Sequence, residues 1–147
     1  MKLPGFDLPK SLVAGVRRGR FRRERGSWAL RSDHDSFGNV LETELGEVFE
    51  TAEQLASESA GLSTYFSSDG DYGSSSPELA GPGAVPDIVD FSRIICFATS
   101  GDGAPFCLDY RESGSIPRVL WWDDCYWRVV SPDFDAFLAL FDFPEAT

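Results

Sequence analysis

Between Ile94 and Phe141 short apolar runs alternate with turn residues, and this stretch most constrains the fold. Ile94–Ala98 is an apolar run of the length of one buried strand. Ser100-Gly101-Asp102-Gly103 is a turn, with two glycines able to take unusual backbone angles. Pro105–Asp109 makes a second strand. Val119–Trp122 and Tyr126–Val130 are a third and fourth, joined across Asp123-Asp124-Cys125 as an antiparallel hairpin. Ser131 is placed to cap a closing helix, with Pro132 in its first turn and Asp133 and Asp135 near its positive end. Phe134, Phe137, Leu138 and Phe141 fall on its inward face.

The preceding half is less regular. Pro9 marks a helix start, and Leu12, Val13 and Val16 share one face up to Gly19. Ser27–Arg31 and Leu45–Phe49 read as short strands around a polar loop, Ser32–Asn39. Thr51-Ala52-Glu53-Gln54 fits a capping box ahead of a helix over 52–60, with Leu55 inward and Gly61 as terminator. Residues 67–86 are rich in Ser, Gly and Pro, and read as a surface loop within one domain of 147 residues. Pro86–Phe91 is expected to form a helical turn.

The charge is uneven. Residues 1–31 hold nine Lys/Arg against Asp7 and Glu24, giving +7, while 32–147 hold four Arg against 22 acids, giving −18. The acidic bulk repels nucleic acid phosphates, so a nucleic acid partner is not expected. The basic run 17–25 reads as a solvated helix end and loop. A patch binding nucleic acid or an acidic surface, and pairing with the chain's own carboxylates, are the alternatives. No apolar run reaches the ~20 residues of a membrane helix, and the N-terminus lacks a signal-peptide core, so a cytoplasmic location is expected. Cys96, Cys107 and Cys125 form no C-x-x-C pair and read as reduced, buried residues.

Three groups bear on chemistry. Asp33-His34-Asp35 holds the sole histidine. It lacks a second His or Cys ligand and reads as a polar loop whose carboxylates pair with arginines. Asp102 and Asp109 resemble an acid/base pair, but both sit at turn or strand ends, where carboxylates bond backbone N–H groups. Neither catalytic residues nor cofactor or metal ligands are assigned. Trp121, Trp122, Tyr126 and Trp127 are a dense aromatic group. Alternation sends Trp121 and Trp122 to opposite faces, one to the core and one to a half-exposed position suited to an interface.

The order strand, Gly101-Asp102-Gly103 corner, strand ending Leu108-Asp109, Trp121-Trp122 and Trp127 hairpin, and Phe134–Phe141 helix resembles the Knr/Smi-type branch of the SUKH superfamily. The resemblance covers the last third and extends to Leu8-Pro9 and the helix after Thr51. The first helix is shorter than the family's opening one. The basic run and the Ser/Gly loop are elaborations. The resemblance implies an α+β domain with a central, mostly antiparallel sheet of about six strands packed by helices. It implies structural roles for Gly101, Asp102, Gly103, Asp109, Trp121 and Trp127, and a non-enzymatic protein without a cofactor. Bacterial members of the family are commonly immunity proteins that bind a toxin domain, and an acidic member suits a basic toxin. The alternative is a regulatory scaffold of the same fold without a toxin. A small hydrolase is a third, weaker reading. For partner binding the candidates are Asp69, Asp71, Trp122, Asp123, Asp124 and Tyr126, on a glycine-rich loop and a hairpin tip.

Overall fold

The computed structural model describes residues 1–22, 26–66, 81–86, 88–124 and 126–143. In chain order its elements are α1 (Lys10–Arg17), β1 (Trp28–Ala29), β2 (Glu44–Leu45), β3 (Glu47–Val48), α2 (Ala52–Ala60), α3 (Leu62–Tyr65), β4 (Ile94–Thr99), β5 (Pro105–Asp109), β6 (Arg118–Asp123), β7 (Tyr126–Ser131) and α4 (Phe134–Leu138). Strands β3 to β7 form one antiparallel sheet in sequence order, and β1 pairs with β2 apart from it. The architecture is the expected α+β. The main sheet has five strands where about six were expected.

The outer edge of β7 is nevertheless covered. Val129 N–H donates to Gly83 O and Val85 N–H to Trp127 O, both at 3.0 Å. Residues 83–85 therefore satisfy a sheet edge that would otherwise be open to pairing. Gly83 has φ +71°, and a Cβ there would lie 2.9 Å from Val129 O, so the approach needs glycine. This corrects the expected loop at its end, since 83–85 belong to the sheet margin. Residues 67–80, with Asp69 and Asp71, lie outside the described residues.

The expected strand Leu45–Phe49 is divided at Gly46. A Cβ on Gly46 would meet Ser100 O at 2.9 Å. The chain crosses the β4–β5 turn there, leaving β1 as the partner of β2 and β4 as the partner of β3. Because β3 is so short, the rest of the β4 edge needs other partners. Phe97 O accepts from Phe49 N–H, and Cys96 N–H donates to Ser59 Oγ of α2, both at 2.9 Å.

Alternation along the sheet sorts its side chains onto two faces. Phe97 and Phe106 meet Phe137 of α4, at ring separations of 5.1 and 5.3 Å. Trp121 stacks on Phe106 on that face. Trp122 and Trp127 point to the other face, against Phe66. Trp127 Nε1 donates to Phe66 O at 2.9 Å, which satisfies a buried indole.

Local signals mostly hold, with small displacements. Thr51 Oγ1 accepts from Gln54 N–H at 3.1 Å, while Gln54 Oε1 accepts from Glu50 N–H and from the Thr51 hydroxyl rather than from Thr51 N–H. Gly61 ends α2 as expected, with a helical φ of −84°, and leads directly into α3. The cap of α4 is Asp133, whose Oδ1 accepts from Ala136 N–H at 2.7 Å. Ser131 is still the last residue of β7, so it and Pro132 precede the helix. Residues 88–91 take no helical turn; the turn comes at Ser92-Arg93, held by Asp90 Oδ1.

Cys96 and Cys107 are cross-strand partners, buried and free. Burial first, and then the hydrogen bond with Cys96, push the Cys107 thiol well above its ordinary pKa. Such a thiol has little thiolate at neutral pH and reacts slowly. Alkylation of the native chain should therefore spare these two, and unfolding without reductant should free all three cysteines. A single free thiol would contradict this by revealing a disulfide. Cys125 itself lies outside the described residues.

Candidate protein-binding site

The meander brings the β4–β5 turn, the β6–β7 turn and the start of β3 to one end of the sheet. At the first turn, Ser100 N–H donates to Ala104 O at 2.8 Å and Gly103 N–H to Ser100 O at 3.0 Å. Ser100 Oγ donates to the Asp102 carboxylate. That bond holds the Asp102 carboxyl below its usual pKa. Gly101, Asp102 and Gly103 thus build the turn and leave the Asp102 side exposed.

The second turn behaves differently at its two aspartates. Asp123 faces inward in part, with Arg128 Nη1 at 3.0 Å and Tyr126 Oη at 3.2 Å. Arg128 is 3% exposed and reaches Asp35 Oδ2 at 2.9 Å and Val40 O at 2.6 Å. The polar loop over 32–40 is therefore tied to the hairpin by a buried cation. Tyr126 is pushed up to about 12, by burial first and then by the Asp123 charge. Asp124 is exposed and has φ +64°, the left-handed geometry of a tight turn. Of the hairpin pair, Asp124 is the carboxylate that makes no ion pair among the described residues.

Between the two turns lies a recess of about 520 Å³, bordered by Glu42, Phe66, Asp102, Trp122 and Asp124. Glu42, Asp102 and Asp124 make no ion pair among the described residues. Trp122 and Tyr126 are half-buried, and Trp121 and Trp127 are core. The structure thus gathers Trp122, Asp123, Asp124 and Tyr126 in one place. It adds Glu42 and Phe66, which no local sequence signal marked.

The enzyme-like groups do not converge. Asp35 is buried against Arg128 and accepts from Phe37 and Asn39 N–H. Asp33 is exposed beside His34 Nδ1 at 2.7 Å. Asp102 and Asp109 stand at opposite ends of β5. In the basic run, Arg22 pairs with Glu50 at 3.4 Å and Arg20 lies over the Phe143 ring. Arg23 and Arg25 lie outside the described residues.

Asp109 closes the far end of the sheet. Its carboxylate accepts from Arg111 Nε at 2.8 Å, Arg111 Nη2 at 3.0 Å and Arg118 Nε at 2.9 Å. Burial acts to raise its pKa, but the bonds from Arg111 and then Arg118 outweigh it and hold the carboxyl low. A depressed folded pKa stabilises fully above the unfolded value of ~3.9, and the gain is lost as pH falls through the folded value. Asp109→Asn should therefore be less stable than the parent at neutral pH. The gap should narrow on acidification below about pH 4. Urea unfolding across pH measures it, and a gap independent of pH would remove charge as the cause.

No helix among the described residues is long and apolar enough to cross a membrane. No curated protein and no solved structure gives a significant match to the chain. A family model described as the SMI1 / KNR4 family (SUKH-1) matches residues 2–140, taking in α1, the whole meander and α4. With nearly the full chain covered, this protein belongs to the SMI1 / KNR4 family (SUKH-1).

Proposed function

We propose that this chain is a non-catalytic binding protein, an immunity protein that holds and blocks a basic toxin domain. The family includes immunity proteins. The observation that carries the reading is the acidic end of the sheet, where exposed Glu42, Asp102 and Asp124 surround the half-buried rings of Phe66 and Trp122. Aromatic anchors supply binding energy at protein interfaces. Unopposed carboxylates around them speed encounter with a cationic partner. The same charge disfavours nucleic acid as the partner, since phosphates would be repelled. The test is to search the genes adjoining this one for a toxin domain and to co-express that domain with this chain. The expected result is restored growth and a complex that co-purifies. Undiminished toxicity with no complex would contradict the reading.

A further inference from the structure

Residues 1–8 and α1 enclose a groove of about 640 Å³ that shares no lining residue with the acidic recess. One wall is a tight turn, where Leu3 pairs with Phe6 and Gly5 takes φ +83°. The sheet holds this wall in place. Arg93 Nη1 donates to Gly5 O at 3.1 Å, and its guanidinium lies 4.8 Å from the centre of the Phe6 ring. Tyr110 Oη donates to Asp7 O at 2.9 Å. The other wall is α1, whose buried residues are Leu12 and Gly15. Lys10, Val13, Ala14 and Arg17 recur at i, i+3, i+4 and i+7, so they share a second face of the helix, and all four line the groove. Leu3, Phe6, Val13 and Ala14 are half-buried, while Lys10, Arg17 and, on the facing wall, Lys2 are exposed. None of these three cations makes an ion pair among the described residues. Asp7 is the single acid among the described lining residues, so cations dominate the rim.

We propose that this groove takes an amphipathic helix of a partner protein, with apolar side chains flanked by one carboxylate a turn to either side. The site is separate from the acidic end of the sheet and gives the basic N-terminal face a role of its own. Seven residues of helix rise about 10 Å, so Lys10 and Arg17 stand a turn to either side of Val13-Ala14. A facing helix repeats that pitch. In the pattern Glu-x-x-Leu-Leu-x-x-Glu, two apolar side chains lie between two acids on one face. The apolar pair then enters the groove and supplies affinity, while the opposed charges fix its position along α1. An extended segment repeats its faces every second residue, about 7 or 13 Å apart, and misses the spacing of the two cations. A membrane surface needs protruding apolar side chains, and here they are recessed. A whole anionic surface would also meet the −18 carried by residues 32–147, which a single short helix does not.

The experiment is an NMR titration of the full chain with an end-blocked Ala/Gln helix of about 15 residues that carries Glu-x-x-Leu-Leu-x-x-Glu at its centre. The amides of Leu3, Val13 and Arg17 should move together. Replacing both Glu of the peptide by Gln should weaken binding about tenfold, and replacing both Leu by Ala should abolish the response. The double variant Lys10→Glu with Arg17→Glu, at exposed positions, should reject this peptide and bind its counterpart with Lys in place of Glu. Circular dichroism checks that the double variant is folded, and the peptide substitutions test the same pairing on the parent chain. Groove amides that stay in place with the parent would overturn the proposal. Equal binding of the Glu and Gln peptides would remove the charge pairing from it. Groove amides that answer phosphatidylserine vesicles and ignore the peptide would replace the helix with a membrane surface.

Discussion

Arg128→Ala is expected to destabilise the fold by about 3–5 kcal/mol, because it strands a buried carboxylate. Arg128 is 3% exposed, and the Asp35 side chain it meets at 2.9 Å is fully buried. With the cation gone, Asp35 keeps only the N–H bonds from Phe37 and Asn39. Those bonds do not neutralise a charge taken out of water. Val40 O and Asp123 lose a donor at the same time, so the 32–40 loop loses its tie to the hairpin. The double variant Asp35→Asn with Arg128→Met should recover much of the loss, since removing both charges removes the stranded one. Urea unfolding of the three variants measures this. A loss under about 1 kcal/mol for Arg128→Ala would mean that water reaches Asp35. The same geometry makes Asp123→Lys a poor probe of binding, because it would set a second cation against Arg128.

Phe137→Ala is expected to cost about 3–5 kcal/mol through a cavity between α4 and the sheet. Phe137 is fully buried. It touches the rings of Phe97, Phe106, Phe134 and Phe141, at 5.1, 5.3, 5.9 and 5.1 Å. Four large rings fixed by two strands and a short helix cannot close over the space left by a fifth. Calorimetric or urea unfolding should show the loss with little change in secondary structure. A variant as stable as the parent would mean that α4 does not pin this face.

The meander was legible because each strand is a compact apolar run ended by Gly, Asp or Pro. α4 was legible from its Phe and Leu spacing. Its cap was misplaced because Ser131, a good cap by type, is held in β7 by its pairing with Val119. Long-range contacts were not legible. Gly46 divides a strand because Ser100 passes above it, and nothing near Gly46 announces that neighbour. Residues 83–85 look like loop by composition, yet their backbone serves β7. A Gly- and Pro-rich stretch says little about where its N–H and C=O groups end up. At the candidate site, the place of Trp122 and Asp124 at the hairpin tip was legible from the hairpin pattern. Asp123 was read as equal to Asp124, although strand register turns one toward Arg128 and leaves the other exposed. Glu42 and Phe66 join the site only through the fold.

The most direct test of the account is the binding kinetics of the protein partner that co-purifies with this chain from its native cell against parent, Asp124→Lys and Trp122→Ala, across a range of salt. Circular dichroism on each variant checks folding. Exposed charge governs encounter, and a packed ring governs residence. Asp124→Lys should slow association and flatten its salt dependence, while Trp122→Ala should speed dissociation. Folded variants that both bind like the parent at every salt concentration would contradict the claim that the acidic end of the sheet is the binding surface.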